Sequence, residues 1–364
     1  MEKTSGTTRI FEFDIIRVLA MFWVVTYHFG CEYSLPLVAG GRAPLLIFFC
    51  DTPNFDFGNV AVTMFLVLSG ALLYNKYGKG NVKSIPSFYV KRFKAIYPPF
   101  WILNLYVPLS MFRHWMADGN LFFAGNPLKL LLTVVGLDGY LQLFGMKSYY
   151  FCGDWFVGAI VFLYLVFPLL SWAYSKSRVA LLTVLGVGYM LQFLSPDSWQ
   201  WEISAFPVTL VLKFVLGFLV MDFLPGLRRR SVGWVALAVF AVLCVWNNFP
   251  LPILRNDMLG TVAGIAVFLG VLNFGSRIRE SSVVGKVILK IAPMAYCVFL
   301  IQHVAIVWMQ MGFVKVFGIS AESFSPAIGL VLLAVTFGAI LLAACLLKFV
   351  SDRVVKLAER KFLS

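Results

Sequence analysis

Long stretches without charged residues recur along the chain, separated by short polar segments. Most are long enough for a membrane-spanning helix, which needs roughly 20 apolar residues. The stretches without any charge are Val60–Tyr74, Ala95–Phe112, Trp155–Ser175, Val179–Pro196, Ser231–Leu254, Met258–Ser276, Ile291–Val314 and Ser323–Leu347. Two further stretches, Ile10–Phe29 and Ala205–Met221, contain internal charges. The pattern predicts an all-α, polytopic transmembrane helix bundle of about ten spans.

Residues 120–152 interrupt this alternation. Their Leu- and Phe-rich pieces are cut by Lys129, Asp138 and Lys147, and a full span here would invert the side of every later loop. We therefore expect a re-entrant or surface-lying helix in this segment. Because the loops are too short to hold a second domain, we expect residues 1–364 to form a single integral membrane domain.

Positive charge is concentrated in a few of the segments between the spans. Cytoplasmic loops of membrane proteins are enriched in Lys and Arg. The basic residues are Lys76, Lys79, Lys83, Lys91, Arg92 and Lys94, then Lys176 and Arg178, then 228–230, then Arg277, Arg279, Lys286 and Lys290, and finally Lys348, Arg353, Lys356, Arg360 and Lys361. All fall on one side if both termini are cytoplasmic, and we expect a multi-pass protein of the plasma membrane, the inner membrane in a bacterium.

The composition excludes an ordinary soluble enzyme. Charged residues make up 13% of the chain and apolar residues 60%, whereas a soluble domain carries about 25% charged residues. The net charge of +13 could suggest nucleic-acid binding, but that function needs a basic soluble module with stacking aromatic residues. We expect the lipid bilayer, and no nucleic acid, among the partners of this chain.

Charged and titratable groups inside spans are costly and are therefore candidates for function. In the first span, Arg17 and His28 are eleven residues apart, which places them within ~20° of the same helix face and ~16 Å apart along the axis. Asp14 lies one turn before Arg17 and can pair with it, and histidine is well suited to proton transfer near neutral pH. The spacing predicts an inward face with an ion pair near the cytoplasm and an imidazole near the outer surface. For the ion pair, a headgroup anchor is the alternative.

Three other polar features leave alternatives open. The basic run Lys91–Pro98 before a span is either a topology signal or a phosphate-binding site. Lys213 is a site residue, a snorkelling lysine, or a partner of Asp222 or Glu202. Ser69–Gly70 is more typical of a close helix contact than of a nucleophile, because small residues pack membrane helices.

Taken together, the motifs resemble acyltransferase family 3, the integral membrane O-acyltransferases, over essentially the whole chain. The matching segments are 13–20 with 24–28, an Arg-x10-His arrangement; 59–70, ending in Ser-Gly; 91–101; Trp155 through Tyr164 to Pro168; and 295–303. Their order and spacing together are more specific than any one of them.

The resemblance implies an acyl group, acetyl in the simplest case, transferred from acyl-CoA to a hydroxyl of a glycan or lipid-linked glycan. It implies acyl-CoA as a co-substrate, with no permanently bound cofactor and no metal. The implied catalytic residues are His28 as general base, with Asp14 and Arg17 orienting the site. The implied donor-binding residues are Arg17, Lys91, Arg92, Lys94 and Tyr97. The implied substrate-binding residues are Trp155, Tyr164, His303 and Ser69.

The chain departs from the family pattern at three places. Ala95 stands where a second Arg is usual, and we expect Lys94 to substitute for it. Many members carry a Glu where this chain has Ile160 and Val161. In lacking this Glu, the chain resembles the enterobacterial common antigen O-acetyltransferase branch. Gln302 stands where the late-helix His usually follows Leu-Ile, so whether Gln302 or His303 faces the site stays open. The rival function is a glycolipid or small-molecule transporter or flippase, whose pathway charged residues in the spans would line.

Overall fold

The computed structural model describes residues 9–37, 55–78, 84–149, 154–194, 203–247, 256–318 and 325–362. Within these ranges the chain is helical and contains no strand. The helices are α1 (Phe11–Leu37), α2 (Phe57–Tyr77), α3 (Ile85–Asn104), α4 (Tyr106–Asp118), α5 (Leu130–Val135), α6 (Asp138–Gln142), α7 (Asp154–Lys176), α8 (Arg178–Leu194), α9 (Pro207–Asp222), α10 (Leu224–Leu227), α11 (Arg230–Trp246), α12 (Asn256–Phe274), α13 (Val283–Ile291), α14 (Ala295–Phe317) and α15 (Pro326–Phe362).

Six helical segments in the described ranges are long and apolar enough to cross a membrane. They are Phe11–Cys31, Phe57–Tyr77, Trp155–Lys176, Asp257–Arg277, Val283–Phe317 and Ala327–Arg360. The apolar helices α8 and α11 are shorter. The all-α membrane bundle is therefore confirmed, while the count of ten spans and the side of the termini stay predictions.

The expected span Ala95–Phe112 is not one regular helix. Helix α3 ends at Asn104 and α4 begins at Tyr106. Pro108 has no backbone N–H to donate to the Asn104 carbonyl oxygen, so the regular hydrogen-bond ladder is interrupted at this point. The expected single helix is therefore two helices, because the charge-free pattern did not take the proline into account; whether this segment spans the membrane stays a prediction.

Residues 120–149, the described part of the segment that interrupts the spans, contain only short helices. These are a 3₁₀ turn at Pro127–Lys129 followed by α5 and α6. The Tyr140 hydroxyl donates to the Ala205 carbonyl (2.9 Å), and a Cβ on Gly158 of α7 would overlap the Tyr140 side chain. Two short helices therefore replace the expected single helix, and the second of them, α6, packs tightly against α7.

Helix α2 lies at the centre of the bundle and contacts α1, α9 and α12. Its closest approach is to α9, where a Cβ on Gly70 would overlap the Phe214 carbonyl oxygen and a Cβ on Gly217 would overlap the Val67 carbonyl oxygen. Only glycine allows two backbones this close. The prediction of a close helix contact at Ser69–Gly70 is confirmed at Gly70.

Several helix ends meet at one end of the bundle, which carries many of the basic residues. Arg228 pairs with Glu12 at the start of α1 (3.0 Å). Asp222 at the end of α9 accepts hydrogen bonds from Tyr74 (3.1 Å) and Tyr174 (2.8 Å), near the ends of α2 and α7. We call this the basic end of the bundle.

Candidate active site

The first helix places an ion pair near the basic end. The Asp14 carboxylate accepts a hydrogen bond from Arg17 Nη1 (2.7 Å) and one from Arg9 Nε (2.7 Å). Asp14 and Arg17 are three residues apart, so they lie on the same side of α1. The carboxylate therefore fixes the direction of the Arg17 side chain.

Arg17 opens into a cavity of about 270 Å³ between α1, α2, α3, α7 and α14. Its polar wall residues are Arg17, Ser69, Arg92, Tyr164 and Tyr296, and the rest of its wall is apolar. We call it the Arg17 cavity. A space of this kind, mostly apolar with a few convergent polar groups, is typical of a small-molecule site.

Arg92 of α3 is the second cation of this cavity. Its guanidinium lies 5.6 Å from the Tyr164 ring centroid and 5.9 Å from the Phe88 centroid. Its Nε is buried and has no hydrogen-bond partner among the described residues. Leaving a buried donor unpaired costs about 1–3 kcal/mol, so an acceptor supplied by an anionic ligand would stabilise this arrangement.

A second opening of about 280 Å³ continues the Arg17 cavity toward the basic end. It shares Arg17 and Arg92 with that cavity, and adds Arg9 and Lys76, with Asp14 as the acidic residue in its wall. Four cations around one carboxylate leave a net positive charge. Such a cluster suits phosphate groups, which bind Arg and Lys through charge-assisted hydrogen bonds.

The other basic residues of the 91–98 run lie elsewhere. Lys94 Nζ pairs with Glu359 of α15 (2.7 Å), while Ala95 lines the Arg17 cavity. The structure therefore does not place Lys94 in this cavity, because one residue step turns the side chain by ~100° around the helix, and its replacement of the missing arginine stays a prediction. Lys91 is exposed, and the Tyr97 hydroxyl donates to the Val135 carbonyl (2.9 Å); neither lines this cavity.

A cavity on the far side from the basic end holds the two histidines. Its volume is about 270 Å³, and His28, His303 and Trp155 contribute to its wall; we call it the His28 cavity. The ring centroids of His28 and His303 are 4.0 Å apart, with the ring planes tilted by 54°. Gln302 is fully buried and does not line this cavity, so His303 is the residue of that pair that faces it.

The two cavities share one wall. Phe156 and Phe299 line both of them, and their ring centroids are 4.8 Å apart. Arg17 and His28 open on opposite sides of this wall, eleven residues apart on a continuous α1. The structure therefore orders the opening with the four cations, the Arg17 cavity and the His28 cavity along one line.

Comparison with known protein families identifies the family of the protein that has this arrangement. The model of acyltransferase family 3, described as an acyltransferase domain, matches residues 10–347. The chain belongs to this family. The matched range begins just before α1, ends within α15 and includes every residue named in the two cavities. No curated protein and no solved structure matches the chain.

The acyltransferase also has polar residues at the His28 cavity that were not among the site residues expected from the sequence. Asp56 and Asn59 both line it. Asp56 caps α2 by accepting a hydrogen bond from the Asn59 backbone N–H (2.7 Å). Burial raises the pKa of the Asp56 carboxyl above its usual range, against the lowering effect of this hydrogen bond. The sequence signal that could have identified Asp56 is its position at the start of a span, three residues before Asn59, which is typical of a helix cap.

Asn59 also contacts a buried ion pair, which is formed by Lys213 and Asp257. Lys213 Nζ donates to Asp257 Oδ1 (2.8 Å) and to Asn59 Oδ1 (2.9 Å). Asn59 Nδ2 in turn donates to Asp257 (3.0 Å) and the Tyr189 hydroxyl donates to its other oxygen (2.7 Å). Lys213 is fully buried, so it does not snorkel.

The partners considered for Lys213 from the sequence need correction. Asp222 accepts hydrogen bonds from Tyr74 and Tyr174 instead, and Glu202 lies outside the described residues. A lysine in the middle of a span requires a buried acid. Asp257, which directly precedes the span Met258–Ser276, is that acid, but nothing in the local pattern connects the two helices.

Proposed function

We propose that the protein transfers an acetyl or similarly short acyl group from acyl-CoA to a hydroxyl of a surface polysaccharide or lipid-linked glycan. Its family makes it a membrane acyltransferase; the donor and the acceptor are the proposed part. One observation carries the proposal: a cavity with Arg17 and Arg92 adjoins a cavity with His28 and His303.

The cationic side suits acyl-CoA as the donor. Arg9, Arg17, Lys76 and Arg92 surround one opening, where they would bind the phosphate groups of CoA. The largely apolar Arg17 cavity would then receive the pantetheine arm. Lys91, Lys94 and Tyr97, which lie outside this opening, contribute less.

His28 would act as the general base in the adjoining cavity. It accepts the proton of the acceptor hydroxyl as the hydroxyl oxygen attacks the thioester carbonyl carbon. The carbon–sulfur bond breaks, an ester forms, and the CoA sulfur leaves with the proton that His28 returns. A positioned base of this kind is worth about 10²–10⁴-fold in rate.

The remaining candidate residues divide between the two substrates. Trp155 and His303 line the His28 cavity and are proposed to contact the glycan acceptor. Ser69 and Tyr164 line the Arg17 cavity, so we assign them to the donor instead of the acceptor.

The proposed orientation puts the basic end in the cytoplasm, where acyl-CoA is available. Arg9 and Arg92 share one opening at that end, and Lys94, two residues from Arg92, pairs with Glu359 near the end of the described chain. Both ends of the described chain therefore lie on the same side, which supports cytoplasmic termini in a plasma or bacterial inner membrane.

The family match does not favour the alternative of a glycolipid or small-molecule transporter. Within the family, we further propose the enterobacterial common antigen O-acetyltransferase type of branch. Ile160 lines the Arg17 cavity at a position where many members carry Glu, so an acidic partner is missing from this wall.

The experiment supplies the purified protein in detergent with radiolabelled acetyl-CoA and lipid-linked glycans extracted from a strain that lacks it. We expect label in the glycan with the wild type and with His114→Ala, a matched control in which the exposed third histidine is replaced. We expect transfer at least about 10²-fold slower with His28→Ala. Label transfer by His28→Ala at the wild-type rate, or no transfer by the wild type to any hydroxyl acceptor, contradicts the proposal.

A further inference from the structure

Two phenylalanine rings lie at the boundary between the Arg17 cavity and the His28 cavity. Phe156 of α7 and Phe299 of α14 have ring centroids 4.8 Å apart and planes tilted by 51°. Both side chains are buried. Aromatic rings in contact have centroids about 4.5–7 Å apart, so these two rings touch each other at the boundary.

Each side of this boundary is backed by another aromatic ring. Phe65 of α2 lies 6.1 Å from Phe156 and lines only the Arg17 cavity of the two. Trp155 lies 5.9 Å from Phe156 and lines only the His28 cavity of the two. The boundary is thus an aromatic layer with cations on one side and imidazoles on the other.

The proposed reaction requires the donor to cross this layer. Arg17 and His28 are eleven residues apart on α1, which is ~16 Å along the helix axis. CoA phosphates bound at the cationic opening lie on one side, and the base lies on the other. The two rings line both cavities, so the acyl end of a donor that reaches His28 passes beside them, and the space that they leave limits the acyl group.

We propose that Phe156 and Phe299 form a gate that determines acyl-chain length, admitting acetyl and rejecting longer chains. The gate rests on the proposed acyl-CoA-dependent function. Because the rings line both cavities, truncating either one joins the two spaces and makes room for additional methylene groups beside His28.

The test compares kcat/KM for acetyl-CoA and for hexanoyl-CoA with one glycan acceptor. One methylene in a fitted apolar site changes kcat/KM by about 10–200-fold. We therefore expect Phe156→Ala and Phe299→Ala to raise the hexanoyl-to-acetyl ratio by at least about tenfold. The matched control is Phe162→Ala, also on α7, half-buried and outside the walls of both cavities; its ratio should equal that of the wild type.

Phe156→Leu and Phe299→Leu keep more of the buried apolar volume and serve if the alanine variants fail to fold. They should raise the ratio in the same direction by a smaller factor. Variants that fold, transfer acetyl and keep the wild-type ratio overturn the gate while leaving the proposed function intact. If the wild type transfers no acetyl group from acetyl-CoA, the proposed function fails, and the gate fails with it.

Discussion

The imidazole rings of His28 on α1 and His303 on α14 lie in contact, with centroids 4.0 Å apart. The chain has only three histidines, and two of them meet in one cavity. Imidazole is the side chain best suited to proton transfer near neutral pH. The contact therefore places two groups capable of acid–base chemistry side by side in one cavity.

His303 is expected to serve the acceptor and not the donor. We predict that His303→Ala and His303→Phe both lower kcat/KM for the glycan, because the phenylalanine keeps the ring contact with His28 but loses the ring nitrogens. Calorimetry should find acetyl-CoA affinity unchanged in both variants, because His303 lies beyond the Phe156–Phe299 wall. A matching fall in acetyl-CoA affinity would show that His303 acts on the donor.

Arg92 and Lys91 are neighbours in sequence but differ in what they face. Arg92→Ala should weaken CoA binding about 10- to 100-fold, because a hydrogen bond to a charged group is worth about 1.5–3 kcal/mol. Lys91→Ala, one position away on the exposed side of α3, should leave the affinity within about twofold. Calorimetric titration with CoA measures the affinity of both variants. Equal losses of affinity in the two variants would show that the 91–98 run is a topology signal and not a phosphate-binding site.

Removing one partner of the buried Lys213–Asp257 pair should destabilise the protein strongly, whereas replacing both partners by apolar residues should destabilise it much less. Lys213→Met leaves Asp257 buried without its cation, which typically costs about 3–5 kcal/mol. The double variant Lys213→Met with Asp257→Leu should recover much of this loss. Lys348→Met, the same substitution in an exposed pair with Asp352, should cost no more than about 1 kcal/mol. Unfolding in detergent measures all three, and a double variant less stable than Lys213→Met contradicts the expectation.

Asp56 provides a pH-dependent test of its buried position. Its pKa in the folded protein is raised by burial, so the stability that its protonated form contributes is present at low pH and is lost as the pH rises through the folded pKa. Asp56→Asn keeps a good helix cap and cannot ionise. The Tm of Asp56→Asn relative to wild type should therefore rise between pH 4 and pH 7. A constant difference across this range would show that Asp56 ionises as freely in the folded protein as in the unfolded chain.

Features that depend on helical period were predictable from the sequence. The spacing of Asp14, Arg17 and His28 predicted one functional face of α1, and the structure places an ion pair and two cavities along it. The period alone also shows that Lys94 and Ala95 face different directions, a point that the expectation of substitution at Lys94 overlooked.

Features that depend on contacts between distant helices were not predictable. The pairing of Lys213 with Asp257 needs α9 and α12 to pack beside α2, which no local pattern encodes. The shared wall of Phe156 and Phe299 is equally hidden, because the chain has 36 phenylalanines and most positions in a membrane helix suit an apolar ring. Tertiary packing alone distinguishes these two from the others.

The claim that acyl transfer takes place at His28 is tested most directly by the initial rate of label transfer from saturating acetyl-CoA to the glycan, in wild type and His28→Ala. We predict a fall of about 10²–10⁴-fold in His28→Ala, with acetyl-CoA affinity unchanged because Arg17 and Arg92 are intact. Transfer by His28→Ala at the wild-type rate would contradict the assignment of His28 as the general base.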